Sequence, residues 1–156
     1  MTKRTRLFVS VLAVICMSMF VVGAWSVPSE AKAEITLRMA GQSPADHQST
    51  LGMKKVAKWV GEATKGRIEI KVYPASQLGD YTLVYEELMR GTIDMAVISI
   101  PSQFDSRLEL IYVPYLIGSY PEAKNVFKQG GWLYNKMSEL HGNLGVKFLG
   151  FNVEGF

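Results

Sequence analysis

Three polar segments hold the side chains that could do chemistry in this chain: Gly41 to His47, Ala75 to Asp80 and Ser99 to Asp105. Between them they carry Gln42, Ser43, Gln77, Ser99, Ser102 and Gln103. Neutral amides and hydroxyls of this kind orient a small polar molecule by reversible hydrogen bonds. Acid–base or nucleophilic work needs a base set beside a nucleophile, and no such pattern stands out. His47 reads as a solvated histidine at a helix start rather than as a ligand contact or general base. His141 reads as a cation at a helix end, where the dipole favours positive charge. Two histidines, with no cysteine outside the first residues and no spaced carboxylates, argue against a metal site. No cofactor is expected, since neither a Walker-type nor a dinucleotide glycine pattern occurs. Asp80 is most simply an N-cap, although a helix start there presents N–H groups that could receive an anion. Tyr73, Tyr81 and Tyr115 lie near these segments and could line a pocket, while the other tyrosines and the tryptophans fall at core-like positions.

The elements that must position these loops follow from periodicity. Glu34 to Ala40 alternates, with Ile35, Leu37 and Met39 on one side, and predicts a first strand. A helix is expected from His47 or Gln48 to Lys65, with Met53, Val56, Ala57, Val60 and Ala63 on its apolar face and Gly66 stopping it. Arg67 to Tyr73 alternates again, as Ile68, Ile70 and Val72 against Arg67, Glu69 and Lys71. Pro74 ends that strand because it has no N–H for a ladder. A helix from Asp80 to about Arg90 stops at Gly91, and Met95 to Ile98 reads as a buried strand. Leu110 to Ile117, apolar around Pro114, reads as an irregular buried segment. Ser119 or Tyr120 caps a helix with Pro121 in its first position, reaching about Lys128. Gly130-Gly131 interrupts it, and Trp132 to Leu140 resumes. Val146 to Asn152 reads as a last strand. Strands alternating with helices predict an α/β fold with a mainly parallel sheet. In such sheets ligands sit at the carboxyl ends of the strands, which is where the three polar loops fall.

The first 33 residues read as a targeting segment. Lys3, Arg4 and Arg6 precede an apolar run from Leu7 to Trp25, and Ala31-Lys32-Ala33 has the small-x-small pattern of a secretory cleavage site. The run is also long enough to act as an uncleaved anchor. Of 17 basic and 14 acidic residues, Lys3, Arg4, Arg6, Lys32 and Glu30 belong to this segment, so residues 34–156 carry 13 of each. The basic balance therefore belongs to the leader and points to no nucleic-acid partner. Cys16 lies in the apolar run, and the remainder has no cysteine, which excludes disulfides and thiol chemistry there. An exported chain of this kind depends on its core, and 48% apolar residues allow one.

The run Ile70-Lys71-Val72-Tyr73-Pro74-Ala75-Ser76-Gln77-Leu78-Gly79 and the later Gly91-Thr92-Ile93-Asp94-Met95 resemble the signature of the solute-binding proteins of tripartite ATP-independent periplasmic (TRAP) transporters, of the dicarboxylate-binding type. Gly-Gln-Ser-Pro-x-x-His at 41 to 47, Val113-Pro114-Tyr115 and Leu144-Gly145-Val146-Lys147 also fit. The resemblance covers 34–156. It implies a periplasmic-binding-protein-like fold of class II type, two-lobed in the full family and represented here mainly by the first lobe. It implies capture of a small organic acid, often a carboxylate, in a cleft and delivery to membrane permease subunits. It places polar contacts at the positions of Met39, Tyr81 and Ser99; Met39 is apolar, so that contact is absent or belongs to another ligand class. Family members run to about twice this length on the usual domain scale. Their ligand carboxylate is clamped by an arginine just after the strand that here ends at Asn152, a position beyond Phe156. The resemblance thus implies a C-terminally incomplete sequence that binds poorly alone, because a bidentate guanidinium–carboxylate pair supplies orientation and affinity.

The reading is a non-enzymatic, periplasmic solute-binding subunit whose leader is cut after Ala33. Its candidate ligand-binding residues are Met39, Gln42, His47, Gln77, Asp80, Tyr81, Ser99 and Ser102. The alternative is a membrane-anchored ligand-sensing domain that retains Leu7–Trp25. An exported hydrolase is the weakest of the three readings.

Overall fold

The computed structural model describes residues 33–114 and 116–153. The expected leader with Cys16 and the expected cleavage site fall on residues outside these, apart from Ala33, and Tyr115 also lies outside them. The described residues belong to one compact unit.

At its centre is strand β1 (Ile35–Gly41). Strand β2 (Ile68–Tyr73) lies on one side and β3 (Met95–Val97) on the other, giving the order β2-β1-β3. Both pairings are parallel, with Met39 opposite Val72 on one flank and Met95 on the other. The expected α/β fold and parallel sheet are thus present. Because β1 alternates, Met39 and Ala40 face opposite sides of the sheet. Met39 packs with Met53 and Ile70 beneath helix α1 (Gln48–Ala63), while Ala40 packs with Val84 and Ile93 beneath helix α2 (Tyr81–Arg90). The two helices therefore cover opposite faces of the three strands. Gly41 lets the end of β1 lie close to Met53: a Cβ there would stand 2.7 Å from the Met53 sulfur, and the methionine tip would have to shift.

The helix boundaries have local causes. His47 caps α1, its Nδ1 accepting from the Ser49 N–H. Asp80 caps α2, its Oδ1 accepting from the N–H groups of Thr82 and Leu83, both at 2.9 Å. Gly91 closes α2 in the left-handed conformation, its N–H bonded to the Glu87 and Leu88 carbonyls.

A third apolar cluster is built without strands. A 3-10 helical segment, Ser106–Tyr112, presents Leu108 to helix α4 (Trp132–Asn143), where Leu133, Met137 and Leu140 are also fully buried. Helix α3 (Tyr120–Val126) precedes it, with Ser119 accepting from the Glu122 N–H and Pro121 in the first turn.

The structure corrects several sequence expectations. Val56 and Ala63 are exposed, and Ser49 and Thr50 are buried instead, because the buried stripe of α1 runs through its first turn. β3 is half-buried rather than buried. Leu110 to Ile117 is not a buried segment: its first part completes the 3-10 helix, and Tyr112, Val113 and Pro114 are exposed. Val146 to Asn152 forms no strand. Its apolar residues Phe148 and Phe151 pack on rings, Phe148 against Tyr134 and Phe151 against Phe127, and find no ladder partner. The large aromatics are also less buried than their core-like positions suggest: Trp59, Tyr120 and Trp132 are all more than half exposed.

Candidate functional site

With all three strands parallel, the loops that follow them emerge at one edge of the sheet. Hydrogen bonds lace them together. The Ala75 N–H donates to the Ser43 carbonyl at 2.8 Å and the Ser76 N–H to the Gly41 carbonyl at 3.0 Å, tying the second loop to the first. To reach these acceptors Ala75 and Ser76 both adopt left-handed backbone angles, φ 53° and 55°. Such a conformation costs on the order of 1 kcal/mol for a residue with a Cβ and persists only where the surroundings enforce it.

The third loop is held to the first by a reciprocal amide pair. Gln42 Nε2 donates to Ser99 Oγ, and the Ser99 N–H donates to Gln42 Oε1, both at 2.9 Å. Gln103 Nε2 in turn donates to Thr82 Oγ1 at 2.7 Å, which fastens the third loop to the first turn of α2. Ser102 Oγ donates to Glu109 Oε1 at 3.1 Å. Tyr112 grips the backbone of Ile100, accepting from its N–H and donating to its carbonyl.

Around these contacts lies an open cleft of about 280 Å³, lined by Tyr81, Ser99, Ile100, Ser102, Gln103 and Tyr112. Of the residues expected at a site, Tyr81, Ser99 and Ser102 meet here. Gln42 stands directly behind Ser99. Asp80 is next to Tyr81, and its carboxylate already occupies the helix N-terminus, so no incoming anion is needed there. Gln77 is exposed on the second loop and does not line the cleft. Met39 is 3% exposed in the core under α1 and offers no surface to a solute. Tyr73 does not line the cleft either. Tyr112 and Ile100 do, and sequence reasoning missed them: nothing local distinguishes Tyr112 within its apolar run.

His47 stands apart from the lining residues. Its Nδ1 is 3.1 Å from Ser49 Oγ, and Asn152 Nδ2 donates to that same hydroxyl at 2.8 Å. The trio has the residue types of a nucleophile–base pair, yet Ser49 is 7% exposed inside the first turn of α1. Its hydroxyl therefore serves to pin residue 152 against the start of α1.

His141 is not a surface cation. It is 3% exposed, its Nδ1 is 2.5 Å from the Tyr85 hydroxyl, and its ring stacks on Phe148 at 5.2 Å and 3°. Burial lowers its pKa, which keeps the imidazole neutral. Burial, with a smaller contribution from Asp105, pushes the Tyr85 phenol up to about 12. Asp105 itself is held down at about 2 by hydrogen bonds from Arg107, whose pKa rises in return. Among the described residues no group of histidine, cysteine, aspartate and glutamate could hold a metal ion. Nor, among them, is any helix long and apolar enough to cross a membrane.

Comparison with known proteins places this arrangement. The family described as bacterial extracellular solute-binding protein, family 7, matches residues 39–156. A curated but uncharacterised protein of Haemophilus influenzae is 29% identical over 144 residues, covering 90% of this chain and 43% of that protein. The sialic acid-binding periplasmic protein SiaP of Vibrio cholerae is 24% identical over 105 residues, 66% of this chain and 33% of that one. Among solved structures, a TRAP periplasmic solute-binding protein from Haemophilus influenzae with bound L-gulonate superposes with a TM-score of 0.72 at 24% identity, covering 78% of this chain and 40% of that one. A TRAP periplasmic solute-binding protein from Desulfovibrio salexigens with bound orotic acid gives a TM-score of 0.64 at 25% identity, covering 70% and 36%. The chain thus spans less than half the length of the relatives it matches.

Proposed function

Since this chain belongs to the bacterial extracellular solute-binding protein family 7, we propose that it forms part of the extracytoplasmic receptor of a TRAP transporter, which captures a small organic acid and passes it to membrane permease subunits. Residues 1–33 act as its export signal, cut after Ala33, and the receptor works in the periplasm. The observation that carries this reading is the cleft at the carboxyl edge of the sheet, with Tyr81, Ser99 and Ser102 on its wall and Gln42 fixing Ser99 from behind. The Gln42 amide locks the third loop to the first, and backbone hydrogen bonds tie the second loop to the first, so hydroxyls are presented in a set geometry, which lowers the ordering cost of binding.

The chemistry is that of capture without reaction. The lining holds hydroxyls, one amide and two aromatic rings, groups that orient a small polar molecule by reversible hydrogen bonds. Since the chain spans less than half the length of its relatives, the remainder of a family-length protein supplies the opposite wall, and closure of two walls on one solute drives the transport cycle.

Thermal unfolding against a panel of small organic acids tests the proposal, with the open reading frame expressed through to its stop codon. A ligand at 100 times its Kd raises stability by about 2.7 kcal/mol, a shift of several degrees. Silence across monocarboxylates, dicarboxylates and sugar acids would remove the proposal.

A further inference from the structure

We propose that the buried pair of Tyr85 and His141 braces the third loop at the cleft and releases it when His141 takes up a proton. The importance of that loop rests on the capture reading above, whereas the brace can be tested without any solute. Ser102 and Gln103, both on the cleft wall, stand in a single 3-10 turn, Ser102–Phe104. Helix α2 holds this turn from two residues spaced three apart, which share a helix face. Thr82 accepts from Gln103 Nε2, and the Tyr85 ring stacks on Phe104 with 5.2 Å between centroids and 20° between planes. The first of these contacts is exposed, but Tyr85 is buried, so the stack is the hold that water does not compete for. Tyr85 is held in turn by α4, where His141 Nδ1 lies 2.5 Å from its hydroxyl. The Phe148 ring stacks on the same imidazole. A chain of ring contacts thus runs from Phe148 through His141 and Tyr85 to Phe104, next to the cleft wall.

The site is built for a neutral imidazole. Among the described residues His141 Nε2 is buried without a hydrogen-bond partner. A proton added to the ring makes both nitrogens donors and brings a full charge into a place lined by Phe148 and the Tyr85 ring. The elements packed around the pair offer no counter-ion. Asp105, whose field reaches Tyr85, is committed to Arg107. On α4 Lys136 pairs with Glu139, and on α2 Glu86 and Glu87 pair with Arg90. Glu109 is exposed and accepts from Ser102, and Lys147 is exposed beside Phe148. A charged imidazole is therefore better placed in water, and to reach it the ring must leave Tyr85. Tyr85 then loses the partner that fixes it against Phe104, and the turn carrying Ser102 and Gln103 loosens.

Amide hydrogen exchange of the protein, expressed through its stop codon and free of solute, tests this inference, because exchange reports how often a segment opens. A histidine in water is protonated about ten to one at pH 5.5, so the opened form gains up to about tenfold over the closed one on acidification. Residues 99–105 are expected to exchange at least about threefold faster at pH 5.5 than at pH 7.5, after correction for the intrinsic rate. His141→Gln should abolish that pH response. At pH 7.5 Tyr85→Leu should loosen the same segment, and Tyr85→Phe, which keeps the ring, should restore it. Phe104→Leu breaks the stack from a half-buried position and should loosen the segment like Tyr85→Leu. Residues 75–79, tied to the first loop by backbone bonds, should respond to none of these changes. Unaltered exchange of 99–105 in both leucine variants would overturn the brace. A pH response retained in His141→Gln, or equal loosening of 75–79, would overturn it as well. None of these outcomes involves a solute, so organic-acid capture stands or falls separately on its own panel.

Discussion

Gln42 and Ser99, 57 positions apart, exchange two hydrogen bonds of 2.9 Å, and through them the loop after β1 sets the position of the loop after β3. Replacing Gln42 by alanine leaves the Ser99 N–H without its acceptor in a half-buried place. A stability loss of about 1–3 kcal/mol is expected from an unsatisfied donor of this kind. Solute affinity should fall alongside it, since Ser99 is no longer oriented. Urea unfolding and titration of Gln42→Ala check both parts; unaltered affinity would show that Ser99 needs no such support.

The cap at Asp80 is separable from the cleft. Its Oδ1 satisfies two N–H groups at the start of α2, so Asp80→Ala should cost about 1 kcal/mol of stability. Asp80→Asn should recover most of that loss, because asparagine is an equally good cap. Chemical denaturation of the two variants distinguishes a capping role from a purely electrostatic one.

Gly79 sits at φ +115°, and a Cβ there would fall 2.6 Å from the Leu83 side chain. Gly79→Ala therefore meets both a strained backbone and a clash at the turn that aims Tyr81. A destabilisation of about 1–3 kcal/mol is expected. The midpoint of a urea titration measures it.

The Tyr85–His141 pair makes stability depend on pH in a defined direction. Burial lowers the folded-state pKa of His141 below its ordinary value of 6.5. The unfolded chain then binds more protons than the folded one as the pH drops below 6.5. Stability from this group is therefore fully present above 6.5 and is lost on acidification towards the lowered folded pKa. Tyr85 has the opposite sign, because its pKa is raised from 10.0 to about 12. Its contribution is present below 10 and is lost as the pH rises towards 12. Denaturation curves between pH 8 and pH 5 should show the first effect, and a His141→Gln variant should flatten it. Tyr85→Phe should cost about 1–3 kcal/mol at neutral pH by leaving the buried Nδ1 without its partner.

The parts of the fold legible in the sequence were those with local causes. His47, Asp80 and Gly91 mark helix ends through bonds made within a turn of themselves, and β1 and β2 announce themselves by alternation. The family signature lies on these same elements. The cleft was legible only as loops. Ser99, Ser102 and Tyr81 could be named from the polar segments and the resemblance, but Tyr112 could not, because only the 3-10 turn before it brings its ring to Ile100. Met39 has the right position in a strand and the wrong face, since its side chain meets α1 rather than solvent. Phe148 and His141 were misread for a related reason. Each finds its partner 7 or 56 positions away on another element, and no period within the segment encodes that.

The central claim, that this cleft holds an organic acid, is tested most directly by titrating the acid that stabilises the protein most into three variants. Tyr81→Ala and Ser102→Ala remove lining groups, and Trp59→Ala removes an exposed ring that does not line the cleft. The account predicts an affinity loss of about tenfold or more in the first two variants, equal to about 1.4 kcal/mol, and none in the third. Equal affinity in all three would contradict it.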